Sequence, residues 1–190
     1  MNLLESGDGD IAILMLHGRG SNAEDIISLS SFFHNVKSYA FTAKNNHWYP
    51  KPFNLPKSEN EPNLSESLDI IKNIYLDLKK SHRKVFLLGF SQGACLVLEY
   101  ASKKNIDGAI AFSGGLIGFD DEISVSSSSV NILISCSRND PFIPLERAEK
   151  TVKMFKDKEN TVDFYFYEGS THTITKKEIE LAIEFINKLR

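Results

Sequence analysis

The chain has 190 residues and a formal net charge of −3, with 42% hydrophobic and 25% charged residues. Its length is that of one ordinary domain, and we expect a single domain over residues 1–190. The balanced charge gives no electrostatic reason to expect a nucleic acid as partner. No apolar run approaches the roughly 20 residues of a membrane span. The acidic first ten residues do not resemble a signal peptide, which predicts a cytoplasmic protein.

The chain contains only two cysteines, Cys95 and Cys136, and each lies in an apolar run. Two cysteines make neither a disulfide framework nor a zinc site. A free cysteine usually packs inside a protein as a small hydrophobic residue. We therefore expect two buried thiols and no metal.

Short apolar runs alternate with stretches of helical periodicity, which predicts a mostly parallel sheet with helices on both faces. Most of the strand candidates are continuous apolar runs, as expected for strands that are covered on both faces. The last candidate alternates instead, so we place it toward the edge of the sheet. In chain order the predicted strands are Ile11–His17, Tyr39–Thr42, Lys84–Gly89, Gly108–Ser113, Asn131–Ser137 and Val162–Glu168.

The predicted helices lie between and after these strands. Asn22 is the expected N-cap of the first helix, and the capping box Thr175–Glu178 opens the last. The last helix should turn Ile179, Ile183 and Ile186 inward. The five predicted helices are Ala23–Phe33, Leu64–Lys80, Gln92–Lys104, Leu145–Phe155 and the helix that begins at Thr175.

Two connections are informative about function. Segment Ala43–Asn63 contains four prolines and is too long for a simple link, so we expect a functional role for it. Segment Gly114–Val130 has only 17 residues and is rich in glycine and serine. A bulky lid domain cannot be built from so short a segment, which predicts an open active site.

The pentapeptide G-F-S-Q-G at Gly89–Gly93 follows a predicted strand and precedes a predicted helix. A strained strand-to-helix turn of this kind lifts a serine clear of the sheet, and small flanking residues avoid clashes there. The N-terminus of the following helix also favours negative charge at the site. We therefore predict that Ser91 is a catalytic nucleophile rather than an incidental serine in a glycine-rich turn.

A serine hydroxyl needs a neighbouring base, and the chain has five histidines. His172 follows the last predicted strand directly and is the predicted base. We expect His82 to be a surface residue, His34 a boundary residue and His17 a loop-stabilising residue. His47 lies in the long loop and is expected to line a pocket.

The acid of such a triad should lie between the serine and the histidine in the chain. Asp140 comes just after the predicted strand Asn131–Ser137, and the carboxyl ends of parallel strands are where such sheets place their sites. Asp140 is the predicted acid, with a turn aspartate before proline as its alternative role. Asp120 and Asp121 compete for the position, but no strand end supports them.

The segment L-H-G-R-G-S-N at Leu16–Asn22 ends the first predicted strand. A glycine-rich loop there can offer a backbone N–H to a tetrahedral intermediate. By position that donor is the N–H of Arg19, and the second is the N–H of Gln92. Gly18–Ala23 also fits the dinucleotide pattern G-x-G-x-x-A, but that pattern needs an acid about 20 residues on. Residues 26–58 contain no Asp or Glu.

These motifs resemble the phospholipase/carboxylesterase family of α/β-hydrolases, which includes acyl-protein thioesterases and small bacterial carboxylesterases. The resemblance covers nearly the whole chain and implies an α/β-hydrolase fold without a large lid domain. It also implies Ser91, Asp140 and His172 as the triad, with an oxyanion hole from Arg19 and Gln92. The segments that carry it are Leu16–Gly20, Gly89–Ala94, Ser113–Gly115 and Asp140–Pro144, with the W-Y-P and N-E-P segments Trp48–Pro50 and Asn60–Pro62 of one esterase subgroup.

Two positions depart from the pattern of the family. Thr171 precedes the histidine where the family commonly has glycine, and Arg138 stands where close relatives usually have an acidic residue. Neither position is a triad side chain. Both are expected to influence the histidine loop or the substrate preference.

The sequence therefore predicts a carboxylesterase for small or medium acyl substrates that needs no cofactor. Thioester or lactone hydrolysis uses the same residues and stays open as an alternative, as does a homodimer. A non-catalytic binding protein on the same fold is disfavoured because it would have no need of an intact triad. The candidate walls of an apolar substrate pocket are Trp48, Tyr49, Phe53 and His47, with a structural plug as the alternative role of the aromatic residues.

Overall fold

The computed structural model describes residues 2–190, and a seven-stranded sheet runs through its centre in the order β1-β3-β2-β4-β5-β6-β7. Neighbouring strands are parallel, except that β1 pairs antiparallel with β3. The prediction of a mostly parallel sheet is therefore confirmed. The strands are β1 (Leu4–Ser6), β2 (Ile11–Leu16), β3 (Lys37–Ala40), β4 (Lys84–Phe90), β5 (Gly108–Phe112), β6 (Asn131–Ser137) and β7 (Thr161–Tyr167).

Helices cover both faces of this sheet, and an apolar core lies under each set. Buried residues of the second, third and fourth helices pack with one face, and buried residues of the first and fifth pack with the other. Strand β2 is buried at every position because it is covered on both sides. The helices are α1 (Ala23–Ile27), α2 (Asn63–Leu78), α3 (Gln92–Ala101), α4 (Leu145–Lys156) and α5 (Lys176–Leu189).

Three elements differ most from the sequence prediction. Strand β3 covers Lys37–Ala40, two residues earlier than the predicted Tyr39–Thr42. Strand β1 was missed because its three residues, Leu4–Ser6, do not form an apolar run. The predicted helix over 23–33 is wrong beyond Ile27, where a 3₁₀ helix occupies Ser28–Phe32. The Ser28 hydroxyl donates to the Asp25 carbonyl oxygen at 2.6 Å. Serine hydroxyls that bond to nearby carbonyl groups compete with the α-helical pattern.

The last helix and the last strand behave as the sequence predicted. Strand β7 lies at the edge of the sheet. Thr175 caps α5, and the reciprocal bonds of a capping box join Thr175 and Glu178. The Glu178 carboxylate is fully buried and also accepts from the Ser135 hydroxyl at 2.6 Å. This bond fastens the start of α5 to β6. Of the three isoleucines predicted to face inward, Ile183 is only partly buried.

The turn from β4 into α3 is held by very close backbone contacts. A Cβ atom added at Gly89 would lie 2.3 Å from the Gly93 carbonyl oxygen, and one added at Gly93 would lie 2.3 Å from the Leu16 carbonyl oxygen. No side chain fits at such distances. The two glycines of G-F-S-Q-G therefore allow β2, β4 and α3 to meet at one point.

Among residues 2–190, no helix combines the length and the apolar composition that crossing a membrane requires.

Candidate active site

Ser91 occupies the turn between β4 and α3 with φ +54° and ψ −118°. Few non-glycine residues adopt a positive φ, and such strain costs on the order of 1–3 kcal/mol and clusters at functional sites. The Ser91 N–H donates to the Phe112 carbonyl oxygen of β5 at 2.9 Å, which fixes the turn to the neighbouring strand. The serine is therefore held at the carboxyl end of the sheet.

A continuous chain of hydrogen bonds links Ser91, His172 and Asp140. The Ser91 hydroxyl lies 2.7 Å from His172 Nε2. His172 Nδ1 lies 2.8 Å and 3.0 Å from the two carboxylate oxygens of Asp140. A proton on Nδ1 donates to the carboxylate and leaves Nε2 as the acceptor for the hydroxyl. The structure thus brings together the three residues that were predicted from separate parts of the chain.

Asp140 contacts His172, as the predicted acid should, and also closes the turn that was its alternative role. Its Oδ1 accepts from the backbone N–H groups of Phe142 at 2.9 Å and Ile143 at 3.0 Å, which closes a turn. Burial alone would raise the pKa of this carboxyl. The hydrogen bonds from His172, Ile143 and Phe142 outweigh burial, so the net pKa is lower than the ordinary value of 3.8. Asp140 is therefore an anion at neutral pH.

Aromatic rings pack on both sides of the His172 imidazole. The Phe90 ring centroid lies 4.9 Å from that of His172, and the Phe142 centroid lies 4.8 Å away. The His172 side chain is 13% exposed and the Asp140 side chain 0%. Because water has little access to the Asp140–His172 pair, their interaction is stronger than that of a surface ion pair.

The backbone N–H groups of Arg19 and Gln92 lie on the two segments that flank Ser91. A Cβ atom added at Gly18 would be 3.4 Å from the Ser91 Cβ, so the loop that carries Arg19 runs directly beside the serine. Gln92 is the first residue of α3, where a helix leaves its N–H groups without partners in the helix. Neither N–H has a hydrogen-bond acceptor within residues 2–190. Both are available to an oxyanion.

A cavity of about 410 Å³ opens beside Ser91. Of the four residues predicted to form a pocket, Tyr49 and Phe53 line it, while Trp48 and His47 do not. The further lining residues are Arg19, Lys51, Pro52, Asn54, Gln92, Cys95, Phe142 and Ile143, together with Ser91 and His172. Burial raises the pKa of the Cys95 thiol to about 11, so it is a neutral wall of the cavity.

Trp48 has the structural role that was the alternative in the sequence analysis. Its indole N–H donates to the His17 carbonyl oxygen at 2.8 Å, and its ring packs against those of His17 and Phe41. Trp48 and His47 border a different cavity of about 380 Å³. Their assignment to the walls of the substrate pocket is therefore not supported by their placement.

His17 is fully buried and braces the loop that it opens. Its Nδ1 donates to the Gly18 carbonyl oxygen at 2.7 Å, and its Nε2 accepts from the Ala43 N–H at 3.0 Å. Burial lowers the pKa of this imidazole, which favours the neutral form that these bonds require. His17 thus stabilises the loop before Arg19 and does not contact Ser91.

Comparison with known proteins gives the family of the chain. The family model described as Phospholipase/Carboxylesterase matches residues 8–190. A phospholipase/carboxylesterase from Dyadobacter fermentans DSM 18053 has 34% sequence identity and a TM-score of 0.89, over 97% of this chain and 95% of that one. The chain belongs to the phospholipase/carboxylesterase family. It is accordingly a hydrolase with the α/β-hydrolase fold.

Two more distant members of the structural neighbourhood share that fold. The Bacillus cereus carboxylesterase has 16% identity and a TM-score of 0.83, over 100% of this chain and 95% of that chain. The Zea mays acyl-protein thioesterase 2 has 17% identity and a TM-score of 0.83, over 99% and 98%. At these identities the likeness describes the fold alone.

The two departures from the phospholipase/carboxylesterase pattern both lie where β6 and β7 lead into the histidine loop. The Arg138 Nε donates to Glu168 at 2.6 Å, and its guanidinium lies 4.8 Å from the Phe166 ring centroid. The Thr171 carbonyl oxygen accepts from the Ser137 hydroxyl at 3.0 Å. The hydrogen bonds among Ser91, His172 and Asp140 form with both residues in place. The expected influence of Thr171 and Arg138 on the histidine loop or the substrate preference stays a prediction.

The residues that sequence reasoning missed are mainly those that surround His172 and the cavity. Phe90 and Phe142 belong to the segments Gly89–Gly93 and Asp140–Pro144, which also contain Ser91 and Asp140. Their positions in these segments could have indicated that they lie near the site. Cys95 carried a weaker one, since it lies four residues after Ser91 and one turn of helix places it on the same face. Within residues 2–190, no cluster of His, Cys, Asp or Glu is arranged to hold a metal ion.

Replacing Asp140 by Asn tests the role of the carboxylate. The Asn oxygen can still accept from the Phe142 and Ile143 N–H groups, so the turn should persist. The Asn amide would donate to His172 Nδ1 and so favour the wrong tautomer. We expect kcat to fall by about 10⁴-fold, the loss seen for the equivalent change in serine proteases, with an unchanged circular dichroism spectrum.

Asp120→Asn is the matched control, because Asp120 is an exposed carboxylate paired with Lys150 at 2.8 Å. It should leave kcat at the wild-type value. If Asp120→Asn loses most of its kcat while Asp140→Asn stays near wild type, the assignment of Asp140 as the acid is wrong.

Proposed function

We propose that the chain is a carboxylesterase that hydrolyses its substrate through Ser91, His172 and Asp140. The observation that carries the proposal is the unbroken hydrogen-bond chain from the Ser91 hydroxyl through His172 to Asp140, with distances of 2.7 Å and 2.8 Å. A histidine and an anionic aspartate arranged in this way activate a serine that is otherwise a poor nucleophile. The membership of a hydrolase family supports the same chemistry.

In the first half of the reaction, Ser91 Oγ attacks the ester carbonyl carbon while His172 Nε2 takes the hydroxyl proton. The carbonyl oxygen becomes an oxyanion and receives hydrogen bonds from the N–H groups of Arg19 and Gln92. The positive N-terminal end of α3 favours the same negative charge. The C–O bond to the alcohol then breaks, and His172 returns its proton to the departing alkoxide.

The second half releases the acyl group from Ser91. A water molecule attacks the acyl-enzyme carbonyl carbon while His172 Nε2 takes one of its protons. The second tetrahedral intermediate forms against the same two N–H groups. It collapses with cleavage of the bond to Ser91 Oγ, and the proton on His172 returns to the serine. Asp140 stays ionised throughout and stabilises the imidazolium.

Small acyl groups fit this site best. The cavity of about 410 Å³ is walled by Tyr49, Phe53 and Ile143, and its rim includes Phe142, which is 66% exposed. The segment Gly114–Val130 does not cover it. Its apolar residues are instead part of the core: Leu116, Ile117, Ile123 and Val125 are buried in the cluster under α2, α3 and α4. A long acyl chain would therefore extend into solvent.

A fluorophosphonate probe tests the nucleophile. We expect it to form a covalent bond with Ser91 Oγ and to abolish hydrolysis of p-nitrophenyl acetate, because only this serine is activated by His172. Ser91→Ala should give neither labelling nor turnover. Ser113→Ala is the control, since Ser113 is buried and also has a positive φ at a strand end. Full turnover by folded Ser91→Ala, or labelling at another serine, would overturn the proposal.

Substrate size is tested with p-nitrophenyl esters of increasing acyl length. We expect kcat/KM to be highest for short acyl groups and to show no jump at the critical micelle concentration, because no lid has to open. Phe53→Ala widens the cavity and should shift the optimum to longer chains. Phe119→Ala removes a 45% exposed ring outside the cavity and should not. A wild-type optimum at long acyl chains would contradict the account. Thioesters and lactones with the same acyl groups are measured beside the esters.

A further inference from the structure

The side chains of Arg19 and Gln92 converge on one backbone segment, Trp48–Lys51. The Arg19 guanidinium donates to three consecutive carbonyl oxygens, those of Tyr49 at 2.8 Å, Pro50 at 3.0 Å and Lys51 at 3.1 Å. The Gln92 amide donates to the Tyr49 oxygen at 2.8 Å and accepts from the Trp48 N–H at 2.9 Å. One oxygen atom, the Tyr49 carbonyl oxygen, therefore accepts from both side chains.

The segment that receives these bonds is itself rigid. Tyr49 and Lys51 each precede a proline, which restricts both residues to extended backbone conformations. One end is tied to the loop before Arg19 by the bond from the Trp48 indole to the His17 carbonyl oxygen. The other end is tied by the Lys51 N–H, which donates to the Asn60 side chain at 2.8 Å. The carbonyl groups of the segment are therefore fixed acceptors.

We propose that Arg19 is a positioning residue that sets the geometry of the oxyanion hole through its side chain. The inference rests on the proposed function, in which the N–H groups of Arg19 and Gln92 receive the oxyanion. The side chain of each of these residues forms hydrogen bonds with the same backbone segment, Trp48–Lys51. The Tyr49 carbonyl oxygen thereby joins the loop of Arg19 to the first residue of α3, and it adds a side-chain link between the two N–H groups to the backbone contact of Gly93 with Leu16.

The chemistry of arginine suits this task. Its guanidinium is a planar fork with five N–H donors, so it can serve several acceptors without moving. Lysine also has three N–H donors, but they all belong to one nitrogen on a flexible stem, whereas the three bonds of Arg19 come from two nitrogens held apart in a rigid plane. Oxyanion stabilisation needs donors that are held close to the developing charge before the reaction starts. If the Arg19 loop were mobile, it would have to become ordered each time a transition state forms, and that ordering would raise the barrier.

The same segment also forms part of the substrate site. The Tyr49 side chain is 1% exposed and lines the cavity beside Ser91. The acyl group and the oxyanion donors are thus positioned against one common piece of backbone. Arg19 is itself exposed, so removal of its side chain leaves no cavity in the core. A catalytic effect of Arg19 can therefore be separated from an effect on folding.

Steady-state kinetics of Arg19→Ala test the proposal. The variant keeps the backbone N–H and loses the three bonds to the Tyr49, Pro50 and Lys51 carbonyl oxygens, together with the part of the cavity wall that the Arg19 side chain forms. We expect kcat to fall by between about 10-fold and about 100-fold. Deleting an oxyanion donor, or misplacing a reacting group by 1 Å, costs about 100-fold or more, and the loss here should not exceed that. The acid limb of the pH profile and the urea midpoint should stay close to wild type, and the change in KM should be smaller than the change in kcat, since Arg19 forms only part of the cavity wall. Arg19→Lys should fold normally and have an intermediate kcat.

Arg83→Ala is the matched control, because Arg83 is an exposed arginine paired with Asp10 at 2.8 Å, and it should retain the wild-type kcat. A wild-type kcat in Arg19→Ala would overturn the proposal, and so would a loss carried entirely in KM. Complete recovery of kcat in Arg19→Lys would also overturn it, since charge rather than the fork would then suffice.

A double-mutant cycle tests whether the two side chains act as one unit. Gln92→Met keeps the volume and the backbone N–H but removes both side-chain bonds. If both residues work through the Tyr49 oxygen, the double variant should be little slower than the slower single variant. If the fold-losses in kcat of the two single variants multiply in the double variant, the two side chains act independently, and the proposal that they act together through the Tyr49 oxygen is overturned. An active Ser91→Ala would instead overturn the proposed function itself, so the two failures are distinguishable.

Discussion

Three backbone segments approach one another more closely at the end of β4 than any side chain would allow. The Gly93 backbone packs directly on the carbonyl group of Leu16, and the Gly89 backbone packs on that of Gly93. The turn at Ser91 has its positive φ where these segments meet, and α3 begins at the next residue, with its N-terminus at the site. The contact of Gly93 with Leu16 also brings the end of β2, and with it the Arg19 loop, beside the serine. The positions of Ser91, the proposed nucleophile, and of the two proposed oxyanion donors depend on this one approach.

The second requirement is a histidine held against the serine by the strands that lie beyond β4 from β2. Strands β6 and β7 supply it, since Asp140 follows the first and His172 follows the second. The aspartate closes its own turn with one oxygen and holds the imidazole with both. Burial raises the pKa of this carboxyl, and the hydrogen bonds from His172 and from the two backbone N–H groups of the turn together lower it by more. The bonds that shape the turn therefore contribute to keeping the carboxyl ionised.

Much of this arrangement was predictable from the sequence because its signals are local. Apolar runs, a capping box and G-F-S-Q-G each depend on a few neighbouring residues. The order of the strands along the chain then indicated which aspartate and which histidine belong with Ser91. The sequence could not show that Trp48 faces away from the cavity while Tyr49 faces into it. That choice depends on long-range bonds to His17 and Gln92, which no local pattern encodes. The grip of Arg19 on three carbonyl groups was hidden for the same reason.

The central claim is that Ser91 carries the acyl group between two half-reactions. The most direct measurement is mass spectrometry of the protein after rapid mixing with an activated ester and an acid quench, followed by peptide mapping. The account predicts a mass increase equal to one acyl group on the peptide that contains Ser91, formed faster than steady-state turnover or at its rate. In His172→Ala this adduct should be absent or form several orders of magnitude more slowly. Turnover that proceeds with an acyl group on a different residue would contradict the account.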